Sequence, residues 1–136
     1  MSKGFIIKNI LHYSPKEAYT LLCEDALLVD IRRETEISYK AFDVPKMILM
    51  NKKELKYQYE TLPKDKLLIV ADNAGLRSIE ATHFLLEKGF ANVANLIGGM
   101  FEWDKDKLPI KQNNLEMLKG SCLCMLKPMN KVKKER

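Results

Sequence analysis

The stretch "KLLIVADNAGLRS", residues 66–78, joins a short apolar run to a Gly-containing loop and the start of a helical pattern. The run is apolar throughout, as expected for a central strand that is covered on both faces. One carboxylate, Asp72, and one arginine, Arg77, follow it with four residues between them. A strand that leads through such a loop into a helix brings backbone N–H groups and the positive end of the helix dipole together. The stretch therefore predicts an anion site in an α/β fold.

Outward from this stretch, short apolar runs alternate with helical patterns. Strands are predicted over residues 5–8, 26–31, 46–50, 66–71 and 92–96. Helices are predicted after Ser14 and Asn51, each with a glutamate three residues on as in a capping box. Further helices should cover residues 78–88, ending at Gly89, and follow the paired glycines at 98 and 99. This alternation predicts one α/β domain with a five-stranded, mostly parallel sheet and helices on both faces.

The composition is that of an ordinary globular protein, with 46% hydrophobic and 30% charged residues among 136. No apolar run approaches the roughly 20 residues that a membrane span needs, so we expect no membrane association. The N-terminal apolar run is too short for a signal peptide. Three cysteines, Cys23, Cys122 and Cys124, are too few for a disulfide framework. We therefore expect a cytoplasmic protein.

The net charge of +5 is confined to one end of the chain. Residues 1–110 carry 16 Lys or Arg against 16 Asp or Glu, and residues 111–136 carry seven against two. We therefore predict a domain over residues 1–110 and a basic C-terminal extension over residues 111–136. A neutral domain argues against a dedicated nucleic-acid-binding fold, which would carry its charge on a structured face. The extension alone would give only weak, salt-sensitive attraction to polyanions.

Three segments at matching spacing resemble one family. These are "ALLVDIRRETEI" (26–37), "LPKDKLLIVADNAGLRS" (62–78) and "LLEKGFANVANLIGGMFEW" (85–103). In this order they are similar to the strand-Asp-x-Arg element, the active-site loop and the closing Gly-Gly-x-x-x-Trp element of rhodanese-like domains. The resemblance covers about residues 14–103. It implies the rhodanese-like fold and an activity in which a loop cysteine carries sulfane sulfur as a persulfide, or, in related phosphatases, cleaves phosphate esters.

The family's cysteine position is taken by Asp72 in this sequence, while Arg77 is retained at the shorter, sulfur-sized spacing. A hard carboxylate oxygen forms no stable bond to sulfane sulfur, so we expect the usual loop to be inactive. Asp72 should instead sit as a fixed anion among the loop N–H groups and near Arg77. The predicted anion-cradle loop consists of Asp72, Asn73, Ala74, Gly75, Leu76, Arg77 and Ser78.

A phosphoryl transfer through an aspartyl-phosphate at Asp72 is the other chemistry open to a carboxylate. It normally needs a Mg²⁺ site built from further carboxylates, which Asn73, Ala74 and Gly75 do not provide. We therefore expect no metal and no cofactor. Asp30 and Arg32 match the family's strand-end element, and we expect them to form a structural ion pair, since buried charges are usually paired.

Two functions follow from these expectations. The first is a sulfurtransferase-family domain that is inactive at its loop and acts as a binding or regulatory module for an unknown protein partner or a small sulfur-containing anion. The alternative is a thiosulfate or persulfide sulfurtransferase, or a sulfur carrier, that uses Cys122 or Cys124 in "GSCLCML". The nearby Lys119 and Lys127 would modestly favour the thiolate there. Pairing of subunits through the apolar part of the extension is a third, weaker possibility.

Overall fold

The computed structural model describes residues 4–112. Cys122, Cys124 and the rest of the C-terminal extension beyond Gln112 lie outside the described residues. The strands within this range are β1 (Phe5–Ile7), β2 (Ile10–Tyr13), β3 (Leu27–Asp30), β4 (Lys40–Phe42), β5 (Met47–Leu49), β6 (Leu68–Ala71), β7 (Val93–Leu96) and β8 (Ile110–Gln112). The helices are α1 (Pro15–Glu24), α2 (Glu34–Tyr39), α3 (Lys52–Gln58), α4 (Arg77–Glu87) and α5 (Gly99–Lys105), with a 3₁₀ turn at Tyr59–Thr61.

The central sheet has the strand order β1-β2-β7-β6-β3-β5. Strand β1 is antiparallel to β2, and every other neighbouring pair in this sheet is parallel. The predicted α/β fold with a mostly parallel sheet is therefore confirmed. The sheet has six strands, whereas five were predicted, and the strand that the prediction left out is β2. Strand β2 has only four residues and includes the polar His12, so the sequence gives little indication of a strand there.

Helices cover both faces of this sheet, as predicted. Alternate residues of β6 point to opposite sides: Ile69 packs in a core with α1 and α5, and Val70 packs in a second core with α3 and α4. Trp103 of α5 is fully buried in the first core, with its ring edge against Phe42 at a centroid distance of 5.1 Å. The indole N–H of Trp103 also has a hydrogen-bond partner, because Nε1 donates to the Pro109 carbonyl at 2.8 Å.

The predicted helix starts are confirmed in detail. The Ser14 hydroxyl and the Asn51 side chain each accept a hydrogen bond from the N–H three residues on, and both capping boxes are closed by a glutamate. Gly89 ends α4 with φ +95°, in the left-handed region that glycine tolerates.

Three further short elements were not predicted. Helix α2 buries no side chain, so its sequence has no apolar stripe that would indicate a helix. Strands β4 and β8 form a separate antiparallel pair whose partners lie about seventy residues apart, as in the register Phe42–Ile110. Strand β8 runs to Gln112, past the predicted domain boundary at residue 110, and the division of the chain into domain and extension stays a prediction.

Within residues 4–112 no helix is both long and apolar enough to cross a membrane.

Candidate functional site

The predicted anion-cradle loop lies at the carboxyl edge of the sheet, between the end of β6 at Ala71 and the start of α4 at Arg77. Asp72 is 1% exposed, and its side chain points into the loop. Its carboxylate accepts hydrogen bonds from the backbone N–H groups of Arg77 at 2.7 Å, of Ser78 at 3.2 Å, and of Gly75. Asp72 thus supplies the acceptor that the first N–H groups of α4 would otherwise lack.

The first turn of α5 packs directly against this loop. The N–H groups of Met100 and Phe101 donate to the carbonyls of Asp72 and Asn73, both at 2.9 Å. Gly99 has φ +56°, and a Cβ there would lie 2.2 Å from the Asp72 carbonyl oxygen. The paired glycines therefore permit more than the tight turn expected from the sequence, because they let α5 approach the loop backbone.

Arg77 lies between two carboxylates of the protein itself. Its Nε is 3.8 Å from Asp72 Oδ2, and its Nη2 is 3.5 Å from Glu36 Oε2. Burial opposes ionisation of Glu36, but the hydrogen bond from the Arg33 backbone and the charges of Arg77, Arg33 and Arg32 outweigh it and hold the pKa of Glu36 below its usual value. Glu36 is therefore a carboxylate at the rim of the loop. Glu36 was not among the predicted site residues, because α2 buries no side chain and gives no periodic signal in the sequence.

Asp30 and Arg32 form the expected buried pair at the end of β3. The Arg32 guanidinium donates from Nε and Nη2 to the Asp30 carboxylate, with a closest ion-pair distance of 2.9 Å. Its Nη1 donates to Asn73 Oδ1 at 3.2 Å, and Asn73 Nδ2 donates to Glu36. The pair thus holds the side chain of a loop residue, which the sequence did not reveal.

A buried polar chain runs beneath the other side of the loop. The Ser78 hydroxyl donates to Asn95 Oδ1, and the Asn95 amide lies 3.1 Å from His12 Nδ1. His12 is 6% exposed on β2, beside Asn95 on β7, and burial lowers its pKa. Neither His12 nor Asn95 was expected to adjoin the loop, since the pairing of β2 with β7 joins residues about eighty positions apart.

Cys23 is the one thiol within residues 4–112, and it is exposed. It lies at the carboxyl end of α1, just before β3 begins, whereas Asp72 follows the end of β6, which is parallel to β3. The two residues therefore lie at opposite edges of the sheet. The same part of the chain brings together no group of three or more His, Cys, Asp or Glu side chains that could hold a metal ion.

The arrangement of parallel strand, loop and helix matches a known family. A family model described as the rhodanese-like domain covers residues 14–106. The chain belongs to the rhodanese-like domain family. A sulfurtransferase of Allochromatium vinosum is 33% identical over 87 residues, which are 64% of this chain and 79% of that protein. The thiosulfate sulfurtransferase GlpE of Haemophilus influenzae is 33% identical over 98 residues, 71% of this chain and 90% of that protein.

Solved structures agree with the assignment to the rhodanese-like family. The polysulfide-sulfur transferase homodimer of Wolinella succinogenes matches with a TM-score of 0.69 and 30% identity, over 76% of this chain and 80% of that one. A rhodanese-related protein of Thermoplasma volcanium matches with a TM-score of 0.66 at 22% identity, over 75% of this chain and 98% of that one. The second likeness concerns the fold alone.

Proposed function

We propose that this rhodanese-like domain performs no sulfur transfer at its usual loop and acts as a binding or regulatory module. One observation carries the proposal: the N–H groups of Gly75, Arg77 and Ser78 are occupied by the Asp72 carboxylate. An incoming anion would have to displace this internal acceptor before it met the loop donors. Because the carboxylate is covalently tethered and almost fully buried, it competes at a very high effective concentration.

The chemistry of the side chain supports the same conclusion. Transfer of sulfane sulfur needs a soft, polarizable nucleophile that forms a bond to sulfur and later releases it. A thiolate at a helix N-terminus meets this need. A carboxylate oxygen does not. Asp72 also offers no accessible surface to a sulfur donor, since the residue is 1% exposed.

The charge of Arg77 is already shared by two carboxylates of the protein. Asp72 and Glu36 lie within about 4 Å of its guanidinium, a separation at which charge–charge energies are of order 1–4 kcal/mol. A thiosulfate dianion that took Arg77 as its partner would have to compete with these two carboxylates.

The alternative is a sulfurtransferase or sulfur carrier that uses Cys122 or Cys124. It is supported by the Cys-x-Cys sequence and by the sulfurtransferase names of the Allochromatium and Haemophilus relatives. It would need the extension to supply the thiol, because Cys23 lies at the far edge of the sheet from the loop. A cytoplasmic location is part of both proposals, and the small number of cysteines supports it.

Intact mass spectrometry of the full chain separates the two. The protein is incubated with thiosulfate, cleared of reagent, and compared with Cys23→Ser, Cys122→Ser and Cys124→Ser variants treated identically. We expect no gain of a sulfur atom in any of them. A gain that is lost in Cys122→Ser or Cys124→Ser would replace the proposal with the alternative, and a gain that is lost in a further variant, Asp72→Asn, would overturn the inactivity of the loop.

A further inference from the structure

A basic cleft of about 740 Å³ opens beside the loop, on the face of the sheet covered by α3 and α4. Its floor and walls are formed by Ile31, Arg33, Asn51, Lys52, Lys53, Lys56 and Arg77. Five of these seven residues are cations, and none is acidic. Because the domain over residues 1–110 is neutral, this concentration of positive charge is a local feature and not a consequence of composition.

Three of the five cations form no ion pair in the described part of the chain, although the charge of Arg33 also acts on Glu36. Lys52 is paired with Glu80 at 2.7 Å, and Arg77 lies near Glu36 and Asp72. For Arg33, Lys53 and Lys56 no carboxylate lies within ion-pair distance among residues 4–112. All three are exposed. Such a cluster repels itself, and a partner that brings negative charge relieves this repulsion.

An exposed apolar residue directly precedes one of the residues that line the cleft. Leu76 comes just before Arg77 and is 71% exposed, although Gly75 and Ser78 of the same loop are buried. A large exposed aliphatic side chain one residue away from a charged cleft fits a protein docking surface, where an apolar anchor is surrounded by polar contacts.

The occupant is constrained by charge. The chain's own C-terminal extension carries seven basic residues against two acidic ones, so it is not complementary to the cleft. A nucleic-acid backbone would neutralise the lysines but would leave Leu76 uncovered. We propose that the cleft docks an acidic segment of a partner protein, with its carboxylates on Arg33, Lys53 and Lys56 and an apolar side chain against Leu76. This inference rests on the proposed function and names the partner class for it.

The test begins with a library of short random peptides displayed against the immobilised full chain at about 0.15 M ionic strength, where only close charge contacts remain effective. We expect the selected peptides to be enriched in Asp or Glu together with large aliphatic or aromatic residues. An enriched peptide is then synthesised with a fluorophore, and its affinity is measured by anisotropy for the wild type and for charge variants.

Lys53→Glu/Lys56→Glu should weaken binding at least about tenfold, because close charge pairs in interfaces contribute on that scale. Lys16→Glu/Lys105→Glu is the matched control. It makes the same change in net charge at exposed positions of α1 and α5, on the opposite face of the sheet. It should change the affinity less than about threefold. Leu76→Ser should weaken binding of the peptide while leaving the dependence of its affinity on salt concentration unchanged.

Equal losses in the two charge-reversed variants, or a selection without acidic enrichment, would contradict the proposal. The proposal would also be contradicted if a single-stranded RNA of equal charge bound more tightly than the peptide and did so through Lys53 and Lys56. A dimer of the chain, seen in sedimentation and lost in Lys53→Glu/Lys56→Glu, would contradict it as well. The sulfur-transfer test is independent of this one. Absence of docking with no sulfur gain would reject the cleft proposal alone, whereas sulfur gain would reject the proposed function whatever the peptide result.

Discussion

The carboxylate of Asp72 accepts a 2.7 Å hydrogen bond from the backbone N–H of Arg77, while the Arg77 guanidinium lies 3.8 Å from the same oxygen. The Asp72 side chain is therefore both the N-terminal acceptor of α4 and a counterion of its first residue. We expect this internal anion to stabilise the fold.

Asp72→Asn tests that structural role. The amide keeps the shape but loses the charge, and its NH₂ group faces N–H donors, so at least one donor is left without an acceptor. We expect the free energy of unfolding to fall by about 2–3 kcal/mol. Urea titration measures it. Asp65→Asn, at an exposed turn position, is the control and should change stability by less than about 0.5 kcal/mol.

Gly99→Ala tests the close approach of α5 to the loop. The added Cβ would lie 2.2 Å from the Asp72 carbonyl oxygen, in a backbone with φ +56°. Gly89→Ala provides the comparison, since φ is +95° there but the nearest atom is the flexible Lys64 Nζ at 3.5 Å. In Gly89→Ala the free energy of unfolding should fall by about 1–2 kcal/mol, from backbone strain alone. Gly99→Ala should lose clearly more, and equal losses would mean that the contact with the loop is unimportant.

Arg32→Met tests the buried pair beneath Asn73. It leaves the Asp30 carboxylate, which is 0% exposed, without its partner, and we expect a loss of about 3–5 kcal/mol in unfolding free energy. Lys52→Met breaks the exposed pair with Glu80 and should cost about 0–1 kcal/mol. Similar values for the two variants in chemical denaturation would show that the Arg32 pair does not support the loop.

His12 should make stability depend on pH. Burial lowers its pKa below the usual 6.5, so the unfolded chain binds a proton that the folded chain does not in the window just below pH 6.5. The contribution of His12 to the free energy of unfolding is therefore fully present above pH 6.5. It declines as the pH falls below 6.5, by at most about 1.4 kcal/mol per pH unit. Denaturation at pH 7.5 and 5.5 should reveal the decline. His12→Gln should reduce this decline, and an unchanged decline in that variant would contradict the assignment to His12.

The sequence predicted those parts of the fold that are encoded locally. The capping boxes at Ser14 and Asn51 lie within a few residues of the features that define them, and the structure places them as expected. The loop from Asp72 to Ser78 joins β6 to α4, and its role as an anion cradle stays a prediction. The buried strands β3 and β6 were also recognised, because both faces are apolar.

The missed parts depend on pairing across the chain. Glu36 reaches Arg77, and Asn95 reaches His12, only through the arrangement of strands and helices far apart in sequence. Helix α2, which presents Glu36, buries no side chain and so gave no periodic signal. The basic cleft has the same origin, since Arg33, Lys53 and Arg77 come from three separate elements.

We propose that the loop keeps an anion cradle and that Asp72 occupies it. The most direct measurement is intact and peptide mass analysis of Asp72→Cys in a Cys23→Ser/Cys122→Ser/Cys124→Ser background after incubation with thiosulfate, with Asp72→Ser in the same background as the control. A thiolate at the start of α4 would be stabilised by the freed N–H groups. We expect one added sulfur atom at position 72 and none in the control. A folded Asp72→Cys variant that gains no sulfur would contradict the claim.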